Sequence, residues 1–151
     1  MRKLSLMIGL LLLVTTTQAQ ILKPVKWSFV AVPVVGKVRM YRVNMTALIE
    51  NGWHIYSQNT PNGGPEPTII SFNRTPIVLL TGKAKEIGQM KKKYEEAFGV
   101  DVWYYASKVT YVQIVKVKKT APTFLSGKIS YMTCNKEQCI NEEVEFSLEL
   151  K

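Results

Sequence analysis

The chain holds one histidine and two cysteines, and that scarcity excludes several kinds of chemistry. Every serine or cysteine nucleophile would have to share His54 as its base, so no hydrolytic scheme has a believable partner. A zinc site on Cys134 and Cys139 would need two further ligands, and His54 lies far off in sequence. No glycine motif that could cradle a phosphate occurs. Helical periodicity is nearly absent, as are internal repeats and low-complexity segments. The apolar run from Leu4 to Val14, broken by Ser5 and Gly9, covers about ten residues where a spanning helix needs about twenty.

That run follows Met1-Arg2-Lys3 and precedes Thr15-Thr16-Thr17-Gln18-Ala19-Gln20. The order of charged, apolar and small residues is that of a secretory signal peptide, so cleavage is expected near Ala19 and the protein is expected to be periplasmic or otherwise exported. Residues 20–151 then form one domain, long enough to bury a core without covalent staples. They carry 18 basic against 11 acidic side chains, densest at Lys91-Lys92-Lys93 and at Lys116, Lys118 and Lys119. A solvated basic surface is expected, with nucleic acid and stable membrane insertion excluded by export and cleavage. Attraction to an acidic protein or an anionic membrane surface stays open.

What fills the exported part is β-branched and aromatic residues in period-two runs. Strands are expected at Val25 to Val32, Lys37 to Ile49, Thr68 to Asn73, Ile77 to Leu80, Val102 to Tyr105, Lys108 to Lys118, Gly127 to Thr133 and Glu143 to Leu150. Breaks fall at Val35-Gly36-Lys37, Asn51-Gly52, Asn59 to Pro67, Arg74-Thr75-Pro76, Lys119 to Pro122 and Asn135 to Gln138. The stretch Thr60 to Pro67 must be a loop, because its prolines lack amide donors and its glycines resist fixing. Around Met90 to Ala97 the Lys and Glu spacing fits a helical turn or a loop. About eight short strands without crossover helices predict an all-β fold, an immunoglobulin-like antiparallel β-sandwich, with a closed barrel as the alternative.

Cys134 and Cys139 flank Asn135-Lys136-Glu137-Gln138, four polar residues suited to a hairpin tip. Opposed positions at a hairpin mouth lie about 4.5–5.5 Å apart at Cα, close enough for an intramolecular disulfide. Secreted domains commonly use such bonds as staples. Against that, closing a short hairpin removes little chain entropy, so staple and redox pair both stand on spacing alone. If the pair is active, Cys139, leaving the tip, is the sulfur expected to meet a partner and Cys134 its intramolecular mate.

Gly52-Trp53-His54-Ile55-Tyr56-Ser57, the Gly63-Gly64-Pro65-Glu66-Pro67 loop, Phe98-Gly99 with Val102 and Tyr104-Tyr105, and Tyr131-Met132-Thr133-Cys134 to Cys139 occur in an order that resembles the amino-terminal periplasmic domain of the thiol:disulfide interchange protein DsbD, here as a stand-alone domain. The resemblance implies an immunoglobulin-like sandwich that takes electrons from a thioredoxin-like donor and passes them to oxidised periplasmic proteins. It implies catalytic roles for Cys134 and Cys139, with Cys139 forming the mixed disulfide. Phe98 and Gly99 match the cap loop that shields the pair, Tyr56 matches a tyrosine beside it, and Tyr104 joins the cap and partner-binding set. No cofactor or metal is implied. Ile140-Asn141-Glu142 stands where family members often carry prolines. The rival expectation is a non-catalytic module that binds a protein or glycan, with the cysteines only holding a hairpin.

Overall fold

The computed structural model describes residues 22–118, 120 and 122–151. The expected signal segment, residues 1–19, lies outside them, and so does part of the Lys119 to Pro122 break. Ten strands follow in sequence: β1 (Val25–Pro33), β2 (Met40–Ile49), β3 (His54–Tyr56), β4 (Ile69–Phe72), β5 (Val78–Gly88), β6 (Lys91–Glu95), β7 (Val100–Tyr105), β8 (Lys108–Val117), β9 (Thr123–Cys134) and β10 (Cys139–Leu150). They make two antiparallel sheets packed as a sandwich. One has the order β1-β2-β8-β5; the other runs β10-β9-β3-β7-β6, with β4 also paired to β9. The expected immunoglobulin-like sandwich is what forms, with two closed-over faces in place of a barrel.

The alternation seen in the sequence explains which faces meet. In β8, Val109, Tyr111, Gln113, Val115 and Val117 are all buried between its neighbours β2 and β5. β1 sends Trp27 and Phe29 inward, where Trp27 stacks on Tyr111 at 5.9 Å and meets Tyr131 of β9 at 5.3 Å. Phe29 stacks on Phe146 of β10 at 5.0 Å. Rings from both sheets thus interlock across the sandwich, as two half-apolar faces require.

Three expectations about elements are corrected. Among the described residues the count is ten strands, not about eight, because His54–Tyr56 and Lys91–Glu95 are strands. For the second, charge spacing alone suggests a helical turn or a loop. It pairs residue by residue with β7, from Lys91↔Tyr104 to Glu95↔Val100, and that ladder outweighs weak helical charge pairs. Strand ends also move. β2 starts at Met40 because Val34 to Arg39 form a turn, and β5 runs on to Gly88 through an irregularity between Thr81 and Lys85.

Candidate functional site

The β9–β10 hairpin is in register from Leu150↔Thr123 to Cys139↔Cys134. At its tip, the Asn135 amide donates to the Gln138 carbonyl (3.0 Å). The Asn135 Oδ1 accepts from the amides of Glu137 and Gln138, both at 2.8 Å. The asparagine side chain thereby closes a two-residue turn over Lys136 and Glu137. Since 135 and 138 form the hydrogen-bonded pair, the next pair down is the close, non-hydrogen-bonded kind. There Cys134 and Cys139 have Cα atoms 4.1 Å apart and form a disulfide.

The two halves of that bond are not equivalent. Cys134 ends β9, an interior strand, and on its other side it faces His54 of β3. It is 2% exposed. Cys139 begins β10, the edge strand of the sheet, and is exposed. Register therefore encloses one residue and offers the other to solvent.

Residues opposed across a ladder share a face. Cys134 faces His54, Tyr56 faces Tyr104, Tyr104 faces Lys91, and Val102 faces Lys93. This is the outer face of the larger sheet, where Tyr56, Val102 and Cys134 make a second small core with Val100, Tyr104 and Met132. The His54 Nε2 and the Tyr56 hydroxyl are hydrogen-bonded at 3.0 Å, and the His54 ring meets Tyr56 at 5.1 Å and Tyr104 at 5.0 Å edge-on. Burial, reinforced by the Lys93 charge and opposed by Glu95, lowers the His54 pKa from 6.5 to about 4. Burial also raises Tyr56 from 10.0 to about 12, with Glu95 and Tyr104 adding to it. Both groups are neutral at pH 7.

A cleft of about 630 Å³ lies on this face, lined by both cysteines, the Asn135 to Gln138 tip, His54, Tyr56, Tyr104, Lys93, Glu95 and Phe98. Phe98 belongs to the four-residue turn that joins β6 to β7. The Glu95 carbonyl accepts from the amides of Phe98 (3.1 Å) and Gly99 (2.8 Å). Gly99 completes this turn at φ 69°, where a side chain would be strained. The proline-rich loop braces it from outside: a Cβ on Gly64 would lie 2.7 Å from Val100 Cγ2 and 3.7 Å from the Phe98 Cβ. Thr60 Oγ1 accepts from the Trp103 amide at 3.0 Å, which ties that loop to β7.

The structure brings Cys134, Cys139, Tyr56, Tyr104 and Phe98 to one cleft, with Gly99 in the turn at its rim. Sequence reasoning missed His54, Lys93 and Glu95 as members. Period-two reading of Gly52-Trp53-His54-Ile55-Tyr56 puts His54 beside Tyr56; Lys93 and Glu95 are hidden when their segment is read as a helical turn or a loop. Among the described residues no group of three or more His, Cys, Asp or Glu side chains is placed to hold a metal. What the arrangement offers chemically is a disulfide lining an aromatic cleft, with one of its two residues exposed.

Comparison with known proteins gives the same fold and one family. The family model described as thiol:disulfide interchange protein DsbD, N-terminal, matches residues 18–151. The N-terminal periplasmic domain of ScsB from Proteus mirabilis is similar at 17% identity and TM-score 0.55, over 83% of this chain and 45% of that one, so this chain spans less than half of its length. The DsbD N-terminal domain of Neisseria meningitidis, in its complex with the PilB N-terminal domain, is similar at 13% identity and TM-score 0.53, over 86% of this chain and 87% of that chain. No curated protein matches the chain at a significant level.

Proposed function

This chain belongs to the family of the DsbD amino-terminal domain, and from that premise we propose that it is a periplasmic thiol/disulfide exchange protein that relays electrons through Cys134 and Cys139. The observation that carries the reading is the uneven disulfide: Cys134 enclosed, Cys139 exposed, both at one aromatic cleft. Exchange requires in-line access to one sulfur and a second thiol to resolve the complex.

In the reducing half, a thiolate of a thioredoxin-like or membrane-linked donor attacks the Cys139 Sγ. The Cys134 sulfur leaves as a thiolate and takes a proton, and the donor's second thiolate resolves the mixed disulfide, leaving a dithiol here and a disulfide on the donor. In the oxidising half, the Cys139 thiolate attacks a client disulfide and expels one client thiolate. Cys134 then attacks Cys139, expels the other and restores the bond. Two electrons pass each time, and no metal or organic cofactor takes part. A DsbD amino-terminal domain of this fold forms a complex with another protein domain, which supports a protein as the exchange partner. Similarity to a periplasmic domain and the signal-like residues 1–19 support export with cleavage near Ala19.

Phe98 and Gly99 act as a cap over the pair in this reading, and Tyr56 and Tyr104 form the wall against which a partner docks. The test is covalent trapping with a thioredoxin-type partner. Cys134→Ala should leave Cys139 able to accumulate a mixed disulfide, whereas Cys139→Ala should capture far less. Equal capture by both variants, or none by either, would defeat the assignment.

A further inference from the structure

At the opposite end of the sandwich the β1–β2 hairpin ends in an exposed tip, Val35 to Arg39, among the described residues. The Lys37 amide donates to the Val34 carbonyl (3.1 Å) and the Val34 amide to the Met40 carbonyl (2.8 Å). Gly36 sits third in this turn at φ 73°, as a type II turn requires. The turn holds Val35 and Val38 outward, 98% and 79% exposed. Isolated exposed valines are ordinary; two on one ordered projection, inside a basic ring, are not.

That ring is built by the fold. Lys37 and Arg39 lie in the tip itself. The Val117 amide donates to the Arg39 carbonyl (2.9 Å), and Lys116 pairs with Met40, so the end of β8 brings Lys116 and Lys118 alongside. All four are exposed. Arg39 is also the one non-glycine at positive φ (54°) among the described residues, a costly conformation that needs support from its surroundings. Neither the tip nor the β8 end contains a carboxylate. At that end of β10, Glu149 is paired with Lys151 at 2.8 Å. The acidic residues Glu50, Glu95, Glu96 and Glu137 sit instead around the disulfide end.

We propose that this tip docks on an anionic lipid bilayer, with Val35 and Val38 entering the headgroup boundary and Lys37, Arg39, Lys116 and Lys118 lying against lipid phosphates. A projecting aliphatic tip has no concavity to receive a protein side chain, whereas a bilayer yields to it; the basic ring supplies the attraction that two small side chains alone would lack. β9 runs from this end to Cys134, about 36 Å at roughly 3.3 Å per residue. Docking would therefore turn the disulfide away from the membrane, toward soluble partners.

Vesicle co-sedimentation tests this, using phosphatidylcholine with and without phosphatidylglycerol. The chain should bind the anionic vesicles, bind the neutral ones about tenfold more weakly, and be released by high salt. Val35→Ser with Val38→Ser, and separately Lys37→Glu with Lys118→Glu, should each weaken anionic binding about tenfold while the thermal unfolding temperature stays unchanged. Every chain is tested as residues 20–151, the form left by cleavage near Ala19, so the apolar run from Leu4 to Val14 is absent from all arms. No binding of the parent chain to anionic vesicles would overturn the proposal. So would binding that the charge variant abolishes and the serine variant leaves untouched, which would mark a general polyanion site.

Discussion

At the scale of single residues, the site depends on which strand each side chain ends up on. Cys134 and Cys139 have the same chemistry, and only the interior position of β9 and the edge position of β10 make one enclosed and the other exposed. His54 shows the same effect on a titratable group. Above pH 6.5 its ring is neutral in both folded and unfolded chains and contributes no pH dependence. As pH falls from 6.5 toward about 4, the unfolded chain takes up a proton that the folded ring refuses, so the folded state loses stability. Solvent reaches part of the ring, which brings the loss down to about 1–2 kcal/mol. His54→Gln should therefore flatten the fall in urea-unfolding free energy between pH 6.5 and 4.5 relative to the parent chain. An unchanged slope would mean that the ring is as freely hydrated in the fold as out of it.

At the scale of elements, the cleft is held in place by a junction between the sheets. Glu86 of β5 accepts from the Ser57 hydroxyl (2.7 Å), the Gln58 amide (2.7 Å) and the Tyr105 hydroxyl (2.9 Å). One carboxylate thus fastens the smaller sheet to the chain just after β3 and to the end of β7. Hydrogen bonds to a charged group contribute more than neutral ones, and Ser57 is fully buried, so losing its acceptor leaves a stranded donor. Glu86→Ala should lower stability by about 2–3 kcal/mol, read as a lower urea midpoint with an unchanged m-value. A change within experimental scatter would show that solvent replaces the carboxylate at no cost. This junction was not legible in the sequence, because its members lie 19 to 29 residues apart and no local pattern marks such a meeting.

What was legible follows the same logic. Long alternating runs such as Val109 to Val117 and Val144 to Leu150 declare strands because one period fits them over many residues. The three-residue β3 is too short to show a period, and β6 reads as charged surface because an edge strand carries lysines for solubility rather than apolar residues for a core. The cysteine pair, Tyr56, Tyr104 and Phe98 came from motif order. The grouping of His54, Lys93 and Glu95 with them needed the β3–β7–β6 register.

At the scale of the whole molecule, the question is whether the disulfide holds the fold or only rides on it. Cys134 and Cys139 are five positions apart, and closing so small a loop stabilises a chain by no more than about 2 kcal/mol. Stability comes from elsewhere: Tyr111, Met45, Ile55, Leu125 and Ile129 are enclosed between the sheets, and burial on that scale outweighs one short cross-link. The reduced chain should accordingly unfold in a single cooperative transition, with its free energy of unfolding within about 2 kcal/mol of the oxidised chain. Urea titrations with and without a dithiol reductant make the comparison. A reduced form that melts without cooperativity would make the bond a staple and count against the proposed exchange, which needs a bond that can be opened. A sandwich that keeps its fold either way leaves the Cys134–Cys139 bond free to open and close, as the proposed exchange requires, without disturbing the cleft beside it.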